Sequence, residues 1–261
     1  MIALTPGDLL IAASLVVFDA LLSLVLRLGL HRALAVASAR MVVQLIAVGF
    51  ILRFVFAAKS PWLTLAIVLV MTAIAAREAA ARPQRKFRGL ATLGVSAAGV
   101  ALAALVTAAL ALTTAIRPHP WYDPRYAVSL VGIILGSVLN AASLSLDGVL
   151  GGVWRERASI ESRLALGERF SEACAPLRRD AIRRALLPLV NQMSAAGLIT
   201  LPGIMTGQII AGMDPMQAVK YQILLMFLLA GASGLAAVVV ASLSLARLTD
   251  SRERLRLDRL R

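Results

Sequence analysis

The chain has 261 residues, and 59% of them are hydrophobic before its 18 glycines are counted. Soluble domains reach only about 45–50% with glycine included. Mean hydropathy is +0.83, and the net charge of +13 sits in short blocks between long apolar runs, which excludes a disordered chain, a soluble nucleic-acid binder and a small disulfide scaffold.

A helix crossing a bilayer needs roughly 20 apolar residues. Six or seven of them, with loops, use nearly the whole chain and leave no separate soluble catalytic domain. In chain order, seven spans are predicted: 9–30, 34–56, 60–76, 89–116, 126–146, 185–213 and 221–246. Each is read as helical because a chain in lipid must satisfy its own backbone groups. The first carries Asp19 and Arg27, and the second Arg40 and Arg53. About eight residues without a basic run precede the first span, so it is read as a span and not a cleaved leader. No fixed-period repeat or low-complexity linker divides the chain, which reads as one domain over 1–261. The expected fold is all-α: a polytopic helical membrane protein of about seven transmembrane helices.

The connecting segments set the orientation. Those on one side, with Arg27 counted among them, carry 21 of the 27 Lys and Arg, those on the other, with Arg53, carry five, and Arg40 is left inside a span. That bias places the N-terminus outside and the C-terminus in the cytoplasm. The largest cytoplasmic segment is 147–184. Within it, Ile160 and Leu164 fall four apart beside Glu161 and Arg163, the pattern of a short amphipathic helix. Gly167 is placed to end that helix in a left-handed conformation. A second helix is expected through 178–184, with Pro176 near its start or kinking it. Two readings fit the first helix: one lying on anionic lipid, and one docking a soluble partner. The glutamates among its arginines favour a protein. The basic tail from Arg247 onward alternates Arg with Glu, Asp and Leu, and reads as a solvated or surface-lying helix.

Span 185–213 is the most polar. It holds Asn191, Gln192, Ser194, Thr200, Thr206 and Gln208, and Pro202-Gly203 should break or kink it. Freed carbonyls and amide side chains are tolerated at that depth only against protein or water. A gate or substrate path is one reading. Close helix packing through Gly203-x-x-x-Gly207 is the other. In the second span Arg40 and Gln44 share a face. Arg40 either snorkels to the nearby cytoplasmic end or pairs, and Asp19 is a candidate partner or pathway residue. Gly132-x-x-x-Gly136 reads as a packing site.

Four kinds of chemistry are missing. The only lysines are Lys59, Lys86 and Lys220, and none follows a glycine, so no Walker A loop exists. Gly231-Ala-Ser-Gly234 matches a short intramembrane-protease pattern, but the two histidines, His31 and His119, are predicted on opposite sides and no base would reach the serine. Cys174 is the lone cysteine, so there is no intrachain disulfide and no cysteine metal cluster. No His, Cys or carboxylate grouping has metal-ligand spacing.

The run G-L-I-T-L-P-G-I-M-T-G-Q-I-I-A-G-M-D-P over 197–215, followed by K-Y-Q at 220–222, resembles the FetB-type permeases. Arg40-x-x-x-Gln44 with Gly49, L-A-L-G at 164–167, D-A-I-R at 180–183 and Pro188 support the likeness, which covers nearly the full length. These permeases are membrane subunits of a two-component ABC exporter linked to bacterial iron export, related to plant aluminium-tolerance permeases. The resemblance implies that Ile160, Glu161, Leu164, Ala165, Leu166 and Gly167 form a coupling helix for a separate ATPase subunit, which would bind ATP and Mg. This chain would then be no enzyme. Two permease copies and two ATPases would make a bacterial inner-membrane transporter. Family members often carry Thr-Pro where this chain has Arg169-Phe170, which leaves the start of the following helix open. Asp19, Arg40, Gln44, Asn191, Gln192, Thr200, Pro202, Gly203, Thr206 and Gln208 are the candidate path or gate. The metal ligands are unknown. Iron is the cargo that the family implies; a metal complex, a nucleotide sugar and a lipid-like molecule compete. A gradient-driven secondary transporter or channel using Asp19 and Arg40 is the alternative class.

Overall fold

A computed structural model describes residues 5–58, 60–120 and 122–261. Among the described residues the chain is a polytopic helical membrane protein with ten α-helices and no strand; six helices are long and apolar enough to cross a bilayer. It divides into two compact units, the first ending at residue 59 and the second spanning Ser60–Arg261.

The first unit is a helical hairpin of α1 (Pro6–Val25) and α2 (His31–Ala58). A capping box starts α1: the Thr5 hydroxyl accepts the Asp8 N–H, and the Asp8 carboxylate accepts the Thr5 N–H at 2.8 Å. Arg27 and Gly29, both at positive φ, turn the chain, and the buried Ser23 hydroxyl accepts the Leu30 N–H at 2.9 Å. Almost every large apolar side chain of α1 and α2 is exposed within this unit, as helices bathed in lipid tolerate. Asp19, Arg40 and Gln44 are exposed here too.

The second unit holds α3 (Pro61–Ala81), α4 (Ala91–Leu110) with a π-helical extension (Ala111–Ile116), α5 (Pro124–Arg155), α6 (Arg157–Ala165), α7 (Phe170–Ala173), α8 (Ala175–Ala195), α9 (Gly203–Ile210) and α10 (Pro215–Arg247). Two Asp-Pro pairs start the longest helices. The Asp123 carboxylate accepts the Arg125 N–H before Pro124, and that of Asp214 accepts the Gln217 N–H before Pro215. In each, aspartate caps and proline takes the first helical position, where no N–H is needed.

Helix α5 is the centre of this unit and packs on α3, α4, α8 and α10. Lipid is as apolar as leucine, so close packing and buried hydrogen bonds hold such helices together. Small residues supply the close approach: Ala75, Ala76 and Ala79 on α3, Ala103 and Ala104 on α4, Ala232 and Ala236 on α10. Buried hydroxyls cross between helices. Ser96 donates to the Ala76 carbonyl at 2.9 Å, Ser145 donates to the Ala237 carbonyl at 2.8 Å, and Ser137 and Ser233 pair at 2.8 Å. Such bonds contribute about 0.6 kcal/mol each, up to about 2. Ser233, the serine of the protease-like string, thus has another serine as its partner.

Three sequence expectations change. Helix α5 does not end at 146 but runs to Arg155, carrying Asp147 and Trp154 past the apolar span. The α3–α4 loop lies against that extension: Asp147 accepts the Gln84 N–H at 2.9 Å, and Arg85 stacks 3.7 Å over the Trp154 ring. Region 185–213 is not one helix but α8, an unwound stretch and the eight-residue α9. The tail is no helix either. It turns back on itself, includes a short 3-10 turn (Leu257–Arg259), and pairs in extended form with the α3–α4 loop. Local side-chain bonds to Asp250 and burial of Leu260 against the bundle override the helical alternation of its charges.

Candidate functional site

Two features of the second unit carry the candidate chemistry: the segment α6–α7 and the broken α8–α9 pair. Ile160 turns into the core at 2% exposure and Leu164 is half-buried against it, so α6 sits on the bundle by the face that their four-residue spacing defines. Glu161 and Ala165, about 100° round the helix, lie exposed. The helix ends in a Schellman motif. The Gly167 N–H reaches the Leu164 carbonyl at 3.0 Å, and the Glu168 N–H reaches that of Arg163 at 3.2 Å. Gly167 has φ +92, a conformation that side chains bearing a Cβ resist. The reversal leaves Leu166 at the tip, 84% exposed.

Arg163 braces the segment. Its guanidinium donates to the Ala173 carbonyl at 2.9 Å and pairs with Glu168 at 2.6 Å. Helix α7 starts directly at Phe170, where the missing Thr-Pro had left its start open. Glu172 accepts the Arg169 N–H at 3.3 Å, and Glu253 from the tail accepts the Phe170 N–H at 2.6 Å. Pro176 lies in the first turn of α8, where a proline costs no hydrogen bond.

Cys174, between α7 and α8, is fully buried. Burial pushes its thiol up to about 11, and the nearby Arg163 charge opposes part of that rise. The thiolate is the reactive form. At pH 8, maleimide labelling of the folded chain is therefore expected to be at least tenfold slower than after SDS denaturation. Equal rates would show that the segment opens freely.

Helix α8 packs Leu177, Ala181, Ala185 and Leu189 inward, mainly on α5, and leaves Asn191, Gln192 and Ser194 exposed within this unit. Gln192 also lines a small cavity of about 80 Å³ with Ser137, Asn140, Pro188 and Ser233. Gly197 turns to φ +85 after the last turn of α8. Its N–H closes on the Thr200 carbonyl at 2.9 Å, and the Ile199 and Thr200 N–H groups fold back to the Ala195 carbonyl. Pro202 then precedes α9, whose first residue is Gly203. The break thus lies at 196–202, just ahead of the Pro-Gly pair. Thr206 returns its hydroxyl to the Pro202 carbonyl at 3.2 Å, and the Gln208 side-chain oxygen is buried without a partner among the described residues.

The start of α8 (Arg178) and the end of α10 (Leu245, Ala246) line one cavity with Phe170 of α7, and 196–214 leads from α8 through α9 to the start of α10. Among the described residues no three His, Cys, Asp or Glu side chains gather to hold a metal.

The glycine motifs sort differently from their sequence reading. A Cβ at Gly136, Gly203 or Gly207 would meet open space, and at Gly132 only the flexible end of Met71. The close approach is elsewhere: a Cβ at Gly148 would press on Ala181 of α8, and one at Gly152 would fall on Leu177. Sequence reasoning missed this Gly-x-x-x-Gly pair because it lies beyond the apolar span, in what reads as loop. It also missed Arg163 as a brace and Glu253 as a cap; nothing local marks either.

The sequence profile of the family described as uncharacterised protein family UPF0014 matches residues 6–249. The chain is 38% identical to the UPF0014 membrane protein slr1647 of Synechocystis sp. over 211 residues, 79% of each chain. It is 32% identical over 265 residues to the probable iron export permease protein FetB of Escherichia coli, covering 99% of this chain and 97% of that one. It is 28% identical to the protein ALUMINUM SENSITIVE 3 of Arabidopsis thaliana, covering 91% and 86%. No solved structure matches. The profile match over most of the chain and the likeness to a UPF0014 membrane protein make the chain a member of the UPF0014 family of membrane proteins.

Proposed function

We propose that this chain is the membrane permease subunit of an ATP-driven ABC exporter that moves iron, or another metal or metal complex, out of the cell. The observation that carries the reading is α6. It is a short helix seated by Ile160, braced by Arg163 and ended at Gly167 so that Leu166 projects from a charged surround. An exposed apolar anchor within a polar rim is what a protein partner engages. The absent Walker A loop fits an ATPase on a separate chain that binds ATP and Mg, and the full-length likeness to a probable iron export permease supports the cargo class. The basic end, with α6–α7, the α3–α4 loop and the tail, faces the cytoplasm of the inner membrane, and the N-terminus lies outside.

The exposed amides of α8 and the unwound 196–202 stretch belong against protein or water, not lipid. A second permease copy facing this side closes a path between the two, lined by Asn191, Gln192, Thr200 and Thr206. Asp19, Arg40 and Gln44 are further path candidates in the first unit. The neutral oxygens along α8 and α9 suit a metal that keeps ligands of its own more than a bare ion. ATP binding closes the ATPase pair and moves α6. That movement reaches α8 through α7, and the break before Gly203 lets α9 switch the side on which the path opens.

The test is to tag the chain, purify it in mild detergent from its own cell and identify what accompanies it. A stoichiometric ABC ATPase is expected, with hydrolysis stimulated by Fe(II) in liposomes. Leu166→Glu should lower ATPase recovery more than tenfold at unchanged melting temperature. A chain that purifies alone and moves cargo on an ion gradient would overturn the proposal.

A further inference from the structure

After α10 the chain reverses at Asp250 instead of trailing into solvent. The Asp250 carboxylate accepts the N–H groups of Arg252 and Arg254, at 3.0 and 3.1 Å, and the Arg254 guanidinium at 2.9 Å. The Arg254 hydrogen bonds hold this carboxyl far below the usual range. Glu253 sits in the resulting loop at φ +56. A non-glycine residue stays in that region only where its surroundings over-determine it. Its carboxylate takes the Phe170 N–H at 2.6 Å, a charge-assisted bond to a donor that the start of a helix otherwise leaves unpaired.

The remainder of the tail is tied at two more places. The Arg256 N–H reaches the Leu248 carbonyl at 2.8 Å, and the Arg259 guanidinium donates to the Arg247 and Thr249 carbonyls. The last residues then pair with the α3–α4 loop. The Arg261 N–H reaches the Lys86 carbonyl at 2.8 Å, the Arg88 N–H reaches that of Arg259 at 2.9 Å, and Phe87 and Leu260 are both buried. The segment after α10 thus docks on three separate stretches: the end of α10, the start of α7 and the α3–α4 loop.

We propose that the tail is a strap that makes α6–α7 move as one body with the ends of α10 and the α3–α4 hairpin, and that Glu253 is its positioning residue. The inference rests on the docking role given to α6 above. Arg163 makes α6–α7 stiff within itself, Ile160 and Phe170 seat it in the core, and Glu253 adds a charge-assisted bond from the tail to the start of α7, besides its two covalent links. Without the strap, a push at Leu166 is absorbed by bending at Glu156 and Cys174. With it, the push also reaches α10 and α3–α4.

The test uses the full chain in lipid nanodiscs and, with its co-purified ATPase, in liposomes. In Glu253→Ala, exchange of the Phe170 amide hydrogen should quicken about tenfold while amides inside α5 stay unchanged. Glu253→Gln keeps an acceptor and should remain within about threefold of the parent. Cargo moved per ATP should fall several-fold in the alanine variant, with the ATPase still bound, and recover in the glutamine variant. Unchanged exchange in Glu253→Ala overturns the contact; faster exchange with unchanged cargo per ATP overturns the mechanical role. Leu166→Glu separates the two readings. If it leaves ATPase binding intact, the docking reading fails and takes the mechanical role with it. If it abolishes binding while Glu253→Ala stays fully coupled, the strap alone is wrong.

Discussion

Replacing Gly167 by valine is expected to abolish ATP-driven transport while the membrane helices stay folded. Gly167 holds φ +92, and a Cβ there would meet nothing within 4 Å. The cost is therefore one of backbone conformation alone, about 1–2 kcal/mol for an ordinary residue in the left-handed region and more for a β-branched one. The chain escapes that strain by giving up the Schellman reversal. The bonds from Gly167 to Leu164 and from Glu168 to Arg163 are then lost, and Leu166 no longer projects from a fixed helix end. The loss stays local because Ile160, the fully buried anchor of α6, lies nearly two turns before Gly167. Transport should fall more than tenfold, with ATP hydrolysis persisting but uncoupled, and melting in detergent should move by only a few degrees. Parental transport in this variant would remove α6 from the coupling role.

The second large effect is expected at Gly148, and its signature is the reverse: loss of the fold. A Cβ at Gly148 would stand 3.1 Å from the Ala181 Cβ and 3.3 Å from its Cα. The second of these is backbone, so no rotamer change relieves the clash, and leucine there must push α8 away from α5. Overpacking of this kind costs about 1–3 kcal/mol. It also opens the contact of Leu177 with Gly152 one turn along. Gly148→Leu should melt several degrees lower and lose transport together with stability. Gly136→Leu is the matched control, since a Cβ there meets open space, and should melt like the parent. Equal melting of the two variants would refute the close α5–α8 approach.

The two substitutions probe different layers of the molecule, and those layers differ in how far the sequence reveals them. The membrane character, the near positions of six spans and the basic face follow from hydropathy and charge alone, because lipid imposes one requirement on every spanning residue. The end of α6 at Gly167 and the interruption near Pro202 were legible for a similar reason: glycine at a helix end and proline inside one act through their own backbones, whatever surrounds them. The fate of region 185–213 was only half legible. Its polarity and breaker were plain, but the turn begins at Gly197, and where a helix stops unwinding depends on which carbonyls find partners across the bend.

The tertiary structure decided the rest. Gly148-x-x-x-Gly152, not the motifs at 132 and 203, became a close approach, because small residues pack tightly only where another helix arrives. The tail's alternating charges pointed to a helix. Asp250 instead gathered two backbone N–H groups, and Leu260 found a buried place beside Phe87. Composition and periodicity determined that this protein lives in a membrane, along which segments it crosses, and which face carries the positive charge, since those properties are sums over local residues. Which glycines touch, how the tail closes and that Glu253 meets Phe170 across 83 residues depend on a shared three-dimensional address, which no local pattern encodes.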